Sequence, residues 1–207
     1  MNKLYLYCRG FAGYIQDLYR IARMNFSNPH SYTKFLVINK LRKSTGATVL
    51  IEAGTYRGIT TTRCSSVFDK VYSIELDPTL AAAAKKYLSK KKNVNVIQGD
   101  ALQVIPELLE NENLNRVLLF LDGHFSGSET GRGHVPEPAA EELKTLSRHS
   151  ERIRAIVIDD VRSFGTEPQF PKKSELLQSA EQSFGRAFDI NLFLDQLIIT
   201  RKSPPGE

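Results

Sequence analysis

Apolar and polar positions along this chain follow two periodicities, and they change hands repeatedly. Short apolar or β-branched runs occur at Thr48–Ile51, Lys70–Ile74, Val94–Gln98, Arg116–Leu121, Ile153–Ile158, Phe188–Phe193 and Leu197–Thr200. Between them lie stretches whose apolar residues recur every three or four positions, at about 58–67, 78–90, 101–112, 138–149 and 172–184. The first pattern predicts strands and the second amphipathic helices. Each of the first five strands precedes a helix, which predicts a mainly parallel sheet with helices on both faces. The last two strands are joined only by Leu194-Asp195-Gln196. So short a link cannot make a parallel crossover, and the final strand is expected to run antiparallel.

Ahead of this alternation the pattern is purely helical. Leu4, Cys8, Phe11, Ile15, Leu18 and Ala22 form one apolar stripe at intervals of four and three. The rest of that segment is basic, with Lys3, Arg9, Arg20 and Arg23 against a lone Asp17. Such a helix can pack on its own domain, form a homodimer or lie on a membrane surface. Gly10 and Gly13 weaken it as a free-standing helix, and packing on its own domain is the expectation. A turn over Asn25–His30 leads to a second helix, Ser31–Lys43, with Phe35, Leu36, Ile38 and Leu41 on its apolar side and Ser44-Thr45-Gly46 at its end. The expected organisation is a helical extension over residues 1–46, a main α/β unit over 47–202 and a frayed tail over 203–207, all one domain.

Composition changes this picture little. The 207 residues suit one α/β domain, and 41% hydrophobic with 25% charged residues is ordinary for a globular protein. The net charge of +5 is partly local, because Lys85, Lys86, Lys90, Lys91 and Lys92 crowd one predicted helix end. Cations favour that pole of the helix dipole, so a nucleic-acid partner is the lesser reading. Two distant cysteines, Cys8 and Cys64, make neither a disulfide framework nor a zinc site, which fits a reducing, cytoplasmic setting. No apolar run reaches membrane-spanning length.

Candidate chemistry gathers where the strands end. The run Thr48–Ile51 leads into Glu52 and the turn Ala53-Gly54-Thr55-Tyr56-Arg57-Gly58, which opens into a helix. Glycine lets a ligand approach the backbone, and a helix start offers unpaired N–H groups. The spacing is neither the G-x-G-x-x-G of dinucleotide sites nor a P-loop, since Arg57-Gly58-Ile59 lacks the Lys-Ser/Thr pair. Further strands end at Glu75, at Gly99-Asp100-Ala101, at Asp122 and at Asp159-Asp160. Ligands of such sheets sit outside the carboxyl ends of the strands. Five strands in succession deliver acids to one edge and mark it as a ligand site, although Asp100 alone could simply cap the helix beginning at Ala101.

The motifs EAGTYRG, SIELDP, QGDA and LFLDGH, in that order, resemble those of the class I S-adenosylmethionine-dependent methyltransferases across residues 48–200. The resemblance implies a Rossmann-like seven-stranded sheet whose last strand is antiparallel. It also implies roles at matching positions. Glu52, Gly54, Thr55 and Gly58 form the turn that holds the methionine part of S-adenosylmethionine. Glu75, 23 residues after Glu52, accepts hydrogen bonds from the ribose hydroxyls. Leu76 packs on the adenine, and Asp100 with Ala101 meets its edge; Leu102 is an alternative packing partner.

The sequence after the fourth strand addresses the methyl acceptor. Asp122-Gly123-His124-Phe125 stands where enzymes acting on exposed amines often carry Asn/Asp-Pro-Pro-Tyr. Asp122 with Asp159 and Asp160 is similar to the metal site of O-methyltransferases of catechol and macrolide-sugar type. There Mg2+ or another divalent cation promotes proton loss from a hydroxyl. The alternative is that Asp159 or Asp160 pairs with Arg154 or Arg162. His124 is the candidate general base. The polar loops 125–138 and 162–171 are candidate walls of an acceptor pocket, with Ser126, Arg132, His134 and Arg162 as binding groups for a sugar-like or hydroxylated small molecule. An RNA methyltransferase or RNA-binding protein is the competing expectation.

Overall fold

The computed structural model describes residues 3–112, 114–122, 139–167 and 170–202. After two helices, α1 (Lys3–Ala22) and α2 (Ser31–Thr45), strands and helices alternate: β1 (Val49–Ala53), α3 (Ile59–Cys64), β2 (Lys70–Glu75), α4 (Pro78–Leu88), β3 (Val94–Gln98), α5 (Ala101–Asn111), β4 (Val117–Leu121), α6 (Ala139–Ser147), β5 (Ile153–Ile158), α7 (Lys173–Phe184), β6 (Phe188–Phe193) and β7 (Gln196–Arg201). The seven strands form one sheet in the order β3-β2-β1-β4-β5-β7-β6. Strands β1 to β5 pair in parallel, while β7 runs antiparallel to both β5 and β6. The order reverses at β1, whose neighbours are β2 and β4. Such a switch point opens a crevice at the carboxyl edge.

The strands at the middle of the sheet read as continuous apolar runs because both faces are covered. Val49, Ile51, Ala53, Leu119 and Leu121 face a core built with Ile105, Leu109, Leu143, Leu176 and Phe184. The alternate residues Leu50, Val71, Leu118 and Phe120 face a second core with Val37, Ile38, Leu41, Cys64 and Phe68. Helix α2 is therefore part of the main unit's packing. It ends at Gly46 in a left-handed conformation (φ 66°), as the Ser-Thr-Gly sequence implies. Its buried residues are Thr33, Val37, Ile38 and Leu41, so Val37 takes the core position expected of Leu36.

Helix α1 packs on the domain, but with the opposite face to the one its periodicity suggests. Phe11, Ile15 and Leu18 are all exposed, as is Tyr19. Gly10, Gly13 and Asp17 face inward instead. A Cβ on Gly13 would stand 2.9 Å from the His30 ring, and one on Gly10 would meet the Arg63 guanidinium. The two glycines are thus contact points with α2 and α3. Asp17 completes the joint. It accepts from the backbone N–H of His30 at 2.8 Å, from His30 Nδ1 at 2.6 Å and from the Thr33 hydroxyl. The first residue before α2, His30, makes no side-chain cap of its own, so α1 supplies an acceptor to that helix start. Burial works to raise the Asp17 pKa, but the bonds from Thr33 and His30 outweigh it and hold the carboxyl below its ordinary range.

Among the described residues no helix is long and apolar enough to cross a membrane.

Candidate functional site

Strand β1 continues through Ala53, so Glu52 sits within the strand and not after it. Its side chain shares a sheet face with Leu50, and its register partner on β2 is Ser73. Thr61, from the helix packed above, closes over the pair. Glu52 Oε2 accepts from the Thr61 hydroxyl at 2.5 Å and from the Ser73 hydroxyl at 2.6 Å. With its proton committed to Glu52, Ser73 accepts from the Thr55 hydroxyl, 2.7 Å away. Oε1 has no hydrogen-bond partner among the described residues, and Glu52 lines a cleft. Burial pushes the Glu52 pKa up to about 7, against the opposing bonds from Ser73 and Thr61.

That cleft has a volume of about 270 Å³ and lies between the start of α2 and the turn after β1. Its walls include His30 and Lys34 on one side, Gly54, Thr55 and Tyr56 on the other, with Asp122 at the margin. The turn follows the glycines. Gly54 adopts φ 89° and Gly58 φ 66°, and a Cβ on Gly58 would press on Leu88 at 3.1 Å. Tyr56 also takes a positive φ of 46°, held there by a bond from its N–H to Glu75 Oε2 at 2.7 Å. Glu75 closes β2, and its Oε1 accepts from the Asp77 N–H at 3.2 Å. The carboxylate that the sequence assigns to a ribose thus already braces the first turn against the second. Each oxygen keeps a further lone pair for a diol.

Leu76 is exposed beside Glu75, as a residue stacking on a flat ring requires. Asp100 caps α5 through a 2.9 Å bond from the Leu102 N–H to Oδ1, and its Oδ2 has no partner among the described residues. Ala101 is buried as the first residue of α5, and Leu102 is only half-buried.

Beyond the cofactor side, the three aspartates converge as expected: oxygens of Asp122, Asp159 and Asp160 lie within 4.8 Å of one another. What sequence reasoning missed is the cation among them. Lys34 of α2 places its ammonium 2.9 and 3.1 Å from the two oxygens of Asp122 and against Asp159 Oδ2. Asp159 Oδ1 accepts from Gln196 Nε2 at 3.1 Å, and Asp160 Oδ1 from Arg162 Nη1 at 2.7 Å. Among the described residues Asp160 Oδ2 has no partner, and Asp159 Oδ2 has the ion pair with Lys34 but no hydrogen bond. The Lys34 ammonium thus takes the place between Asp122 and Asp159 that a divalent ion would need, and the site does not fit such an ion in this arrangement. A buried and a half-buried carboxylate against one ammonium leave an excess negative charge. Accordingly Lys34 is held above its ordinary range by its acids despite burial, while burial and Asp122 push Asp159 up.

Of the two salt-bridge partners considered for these acids, Arg162 is found and Arg154 is not. Arg162 is committed to Asp160 and to Asp195, whose Oδ1 also accepts from the Arg162 N–H at 2.8 Å. The same Asp195 holds the Asn28 N–H at 2.8 Å. His124, Ser126, Arg132 and His134 lie outside the described residues, as does the whole loop 125–138. No periodicity links Lys34 to an aspartate 88 positions away. Ser73, the one aliphatic hydroxyl in the run KVYSIE, was the legible clue to Glu52's partners.

A family model described as ribosomal RNA adenine dimethylase matches residues 26–126. No curated protein matches the chain in sequence. Three solved structures share the fold at low identity. An inferred O-methyltransferase from Klebsiella pneumoniae superposes with a TM-score of 0.60 at 16% identity, over 83% of this chain and 80% of its own. The O-methyltransferase TomG from Streptomyces achromogenes, involved in tomaymycin synthesis and solved with S-adenosylmethionine, gives 0.55 at 15%, over 84% and 81%. An inferred rRNA methylase from Clostridium thermocellum gives 0.56 at 12%, over 80% and 97%. The architecture described above is the Rossmann-like methyltransferase fold.

Proposed function

We propose that the protein transfers a methyl group from S-adenosylmethionine to a hydroxyl of a small polar acceptor. The observation that carries the cofactor assignment is Glu52: a buried carboxylate with one oxygen fixed by two hydroxyls and the other facing an open cleft. Such a group calls for a cationic ligand, and S-adenosylmethionine brings an ammonium and a sulfonium. In this reading Gly54, Thr55 and Gly58 shape the turn around the methionine part. Glu75 holds the ribose, while Leu76, Asp100 and Ala101 receive the adenine. Asp122 stands at the boundary between cofactor and acceptor, and His124 serves as general base. The acceptor oxygen attacks the methyl carbon as the carbon–sulfur bond breaks, and S-adenosylhomocysteine leaves. Holding the two in line supplies most of the acceleration. Ser126 and Arg132 are acceptor-binding candidates, whereas Arg162 serves the site by fixing Asp160.

The family match supports a second reading, an RNA base as acceptor. It ends at residue 126, just beyond β4, and so covers the strands that would hold the cofactor. The sequence after β4, Asp122-Gly123-His124-Phe125, lacks the prolines common where exposed amines are methylated. That favours a hydroxyl acceptor.

The test is calorimetric titration with S-adenosylhomocysteine of the wild type and of Glu75→Ala and Glu75→Gln. Micromolar binding that is lost in Glu75→Ala, and weakened in Glu75→Gln, is the expected result. Absence of binding to the wild type would sink the reading. Tight, salt-dependent RNA binding alongside cofactor binding would move the acceptor to the second reading.

A further inference from the structure

We infer that Lys34 is a built-in cation that takes the place of a metal ion, so that this acceptor edge works without a divalent cofactor. The inference rests on reading the edge as a methyltransferase's acceptor side, and it deepens that reading. Three aspartates from the ends of β4 and β5 come within 4.8 Å of one another, a spacing that suits a shared cation. Among the described residues, Lys34 is the cation that contacts two of the three. Lys34 bonds both oxygens of Asp122 and contacts Asp159, and its side chain is just 12% exposed. The remaining oxygen of Asp159 is turned away toward Gln196, and Asp160 is drawn off by Arg162.

An ammonium and a divalent ion are not chemically equivalent here. Both draw carboxylates together and cancel their repulsion. The ammonium has no open coordination position, so it cannot bind the acceptor oxygen and lower its pKa. Proton removal then falls to a side-chain base. A vicinal diol able to chelate is not required of the acceptor. Lys34 acts in this scheme as a positioning residue that holds Asp122 and Asp159 in one orientation at the cleft margin. Because it comes from α2, the helical extension contributes directly to the site.

The experiment measures manganese binding by electron paramagnetic resonance, using the wild type, Lys34→Met and Lys34→Met/Asp159→Asn. Methionine keeps the stem's bulk and removes the charge. The wild type is expected to leave the free manganese signal unchanged up to millimolar metal. Lys34→Met is expected to bind one ion at sub-millimolar concentration, and the added Asp159→Asn to abolish that binding. A wild type that binds manganese through Asp159 would overturn the inference, and so would a folded Lys34→Met that binds none. If Lys34→Met is recovered unfolded, it is refolded with and without manganese; rescue supports the inference and failure overturns it. S-adenosylhomocysteine binding measured on the same wild-type sample separates the two claims. A chain that binds it and also binds manganese at Asp159 loses only the inference drawn here.

Discussion

At the scale of single residues, Glu52 sets a pH dependence with a definite sign. Its carboxyl titrates near 7 in the folded chain, against 4.5 for an ordinary glutamate. Below about 4.5 it is protonated in both states and contributes no slope. Between the two values the folded state binds more protons, so stability falls as pH rises, and it levels off above about 7. A shift of that size in a fully buried group is worth on the order of 3 kcal/mol. Glu52→Gln is therefore expected to be more stable than the wild type at pH 8, with the advantage gone near pH 4. Denaturant midpoints at the two pH values check this, and parallel curves for the two proteins would count against it. A cationic ligand reverses the sign, because it favours the charged form. Titrating S-adenosylhomocysteine in buffers of different ionisation enthalpy at pH 7 is expected to show proton release on binding, and Glu52→Gln to show none.

At the scale of elements, the joint between α1 and α2 turns on one buried acid. Asp17 satisfies three donors at once: the His30 N–H, the His30 ring and the Thr33 hydroxyl. Asp17→Ala would strand them and uncap α2, at a cost of about 2–3 kcal/mol. A matching fall in the chemical midpoint is the expected result. Hydrogen-exchange protection should drop first over residues 30–34, and unaltered protection there would rule the joint out. The carboxyl's lowered pKa means that its contribution is present at neutral pH and is lost as pH falls through the acidic range. This is also the element whose inside face the sequence concealed. Periodicity finds an apolar stripe but does not say what lies against it. Here Gly10 and Gly13 admit their neighbours closely, and Phe11, Ile15 and Leu18 are left outward. The remaining elements were legible because length, alternation and punctuation agreed. The short link between β6 and β7 left only an antiparallel solution, and Gly46 and Asp100 stop and start their helices as their chemistry suggests.

At the scale of the molecule, the sheet order carries the acids of β1, β2, β4 and β5 to one edge, which is why their succession could be read from the chain alone. Their counter-charges could not be read. Lys34 and Gln196 reach the site from opposite ends of the sequence, and long-range pairing leaves no local signature. Asp195 illustrates the same point with a measurable consequence. It holds the Asn28 N–H, the Arg162 N–H and the Arg162 guanidinium, although it is absent from the cleft wall. Asp195→Ala is expected to cost about 2–4 kcal/mol and to lower Tm by roughly 4–16 °C. It should also weaken S-adenosylhomocysteine binding through the freed Asn28 segment. Unchanged affinity in a destabilised variant would limit Asp195 to a purely structural role.

The bond between Asn28 and Asp195 spans 167 positions, and it bears on how the chain is made. A ribosome delivers the acids of β1, β2 and β4 early, together with the turn that would cradle a ligand. The segment carrying Asn28, Pro29 and His30, which walls the cleft, emerges before any of them. Its anchor emerges after all of them. A nascent chain stalled short of residue 195 would therefore carry nearly every group of the site and still lack the bond that ties the Asn28 end of that wall to the sheet. That last tie to the wall forms only once the link between β6 and β7 leaves the exit tunnel.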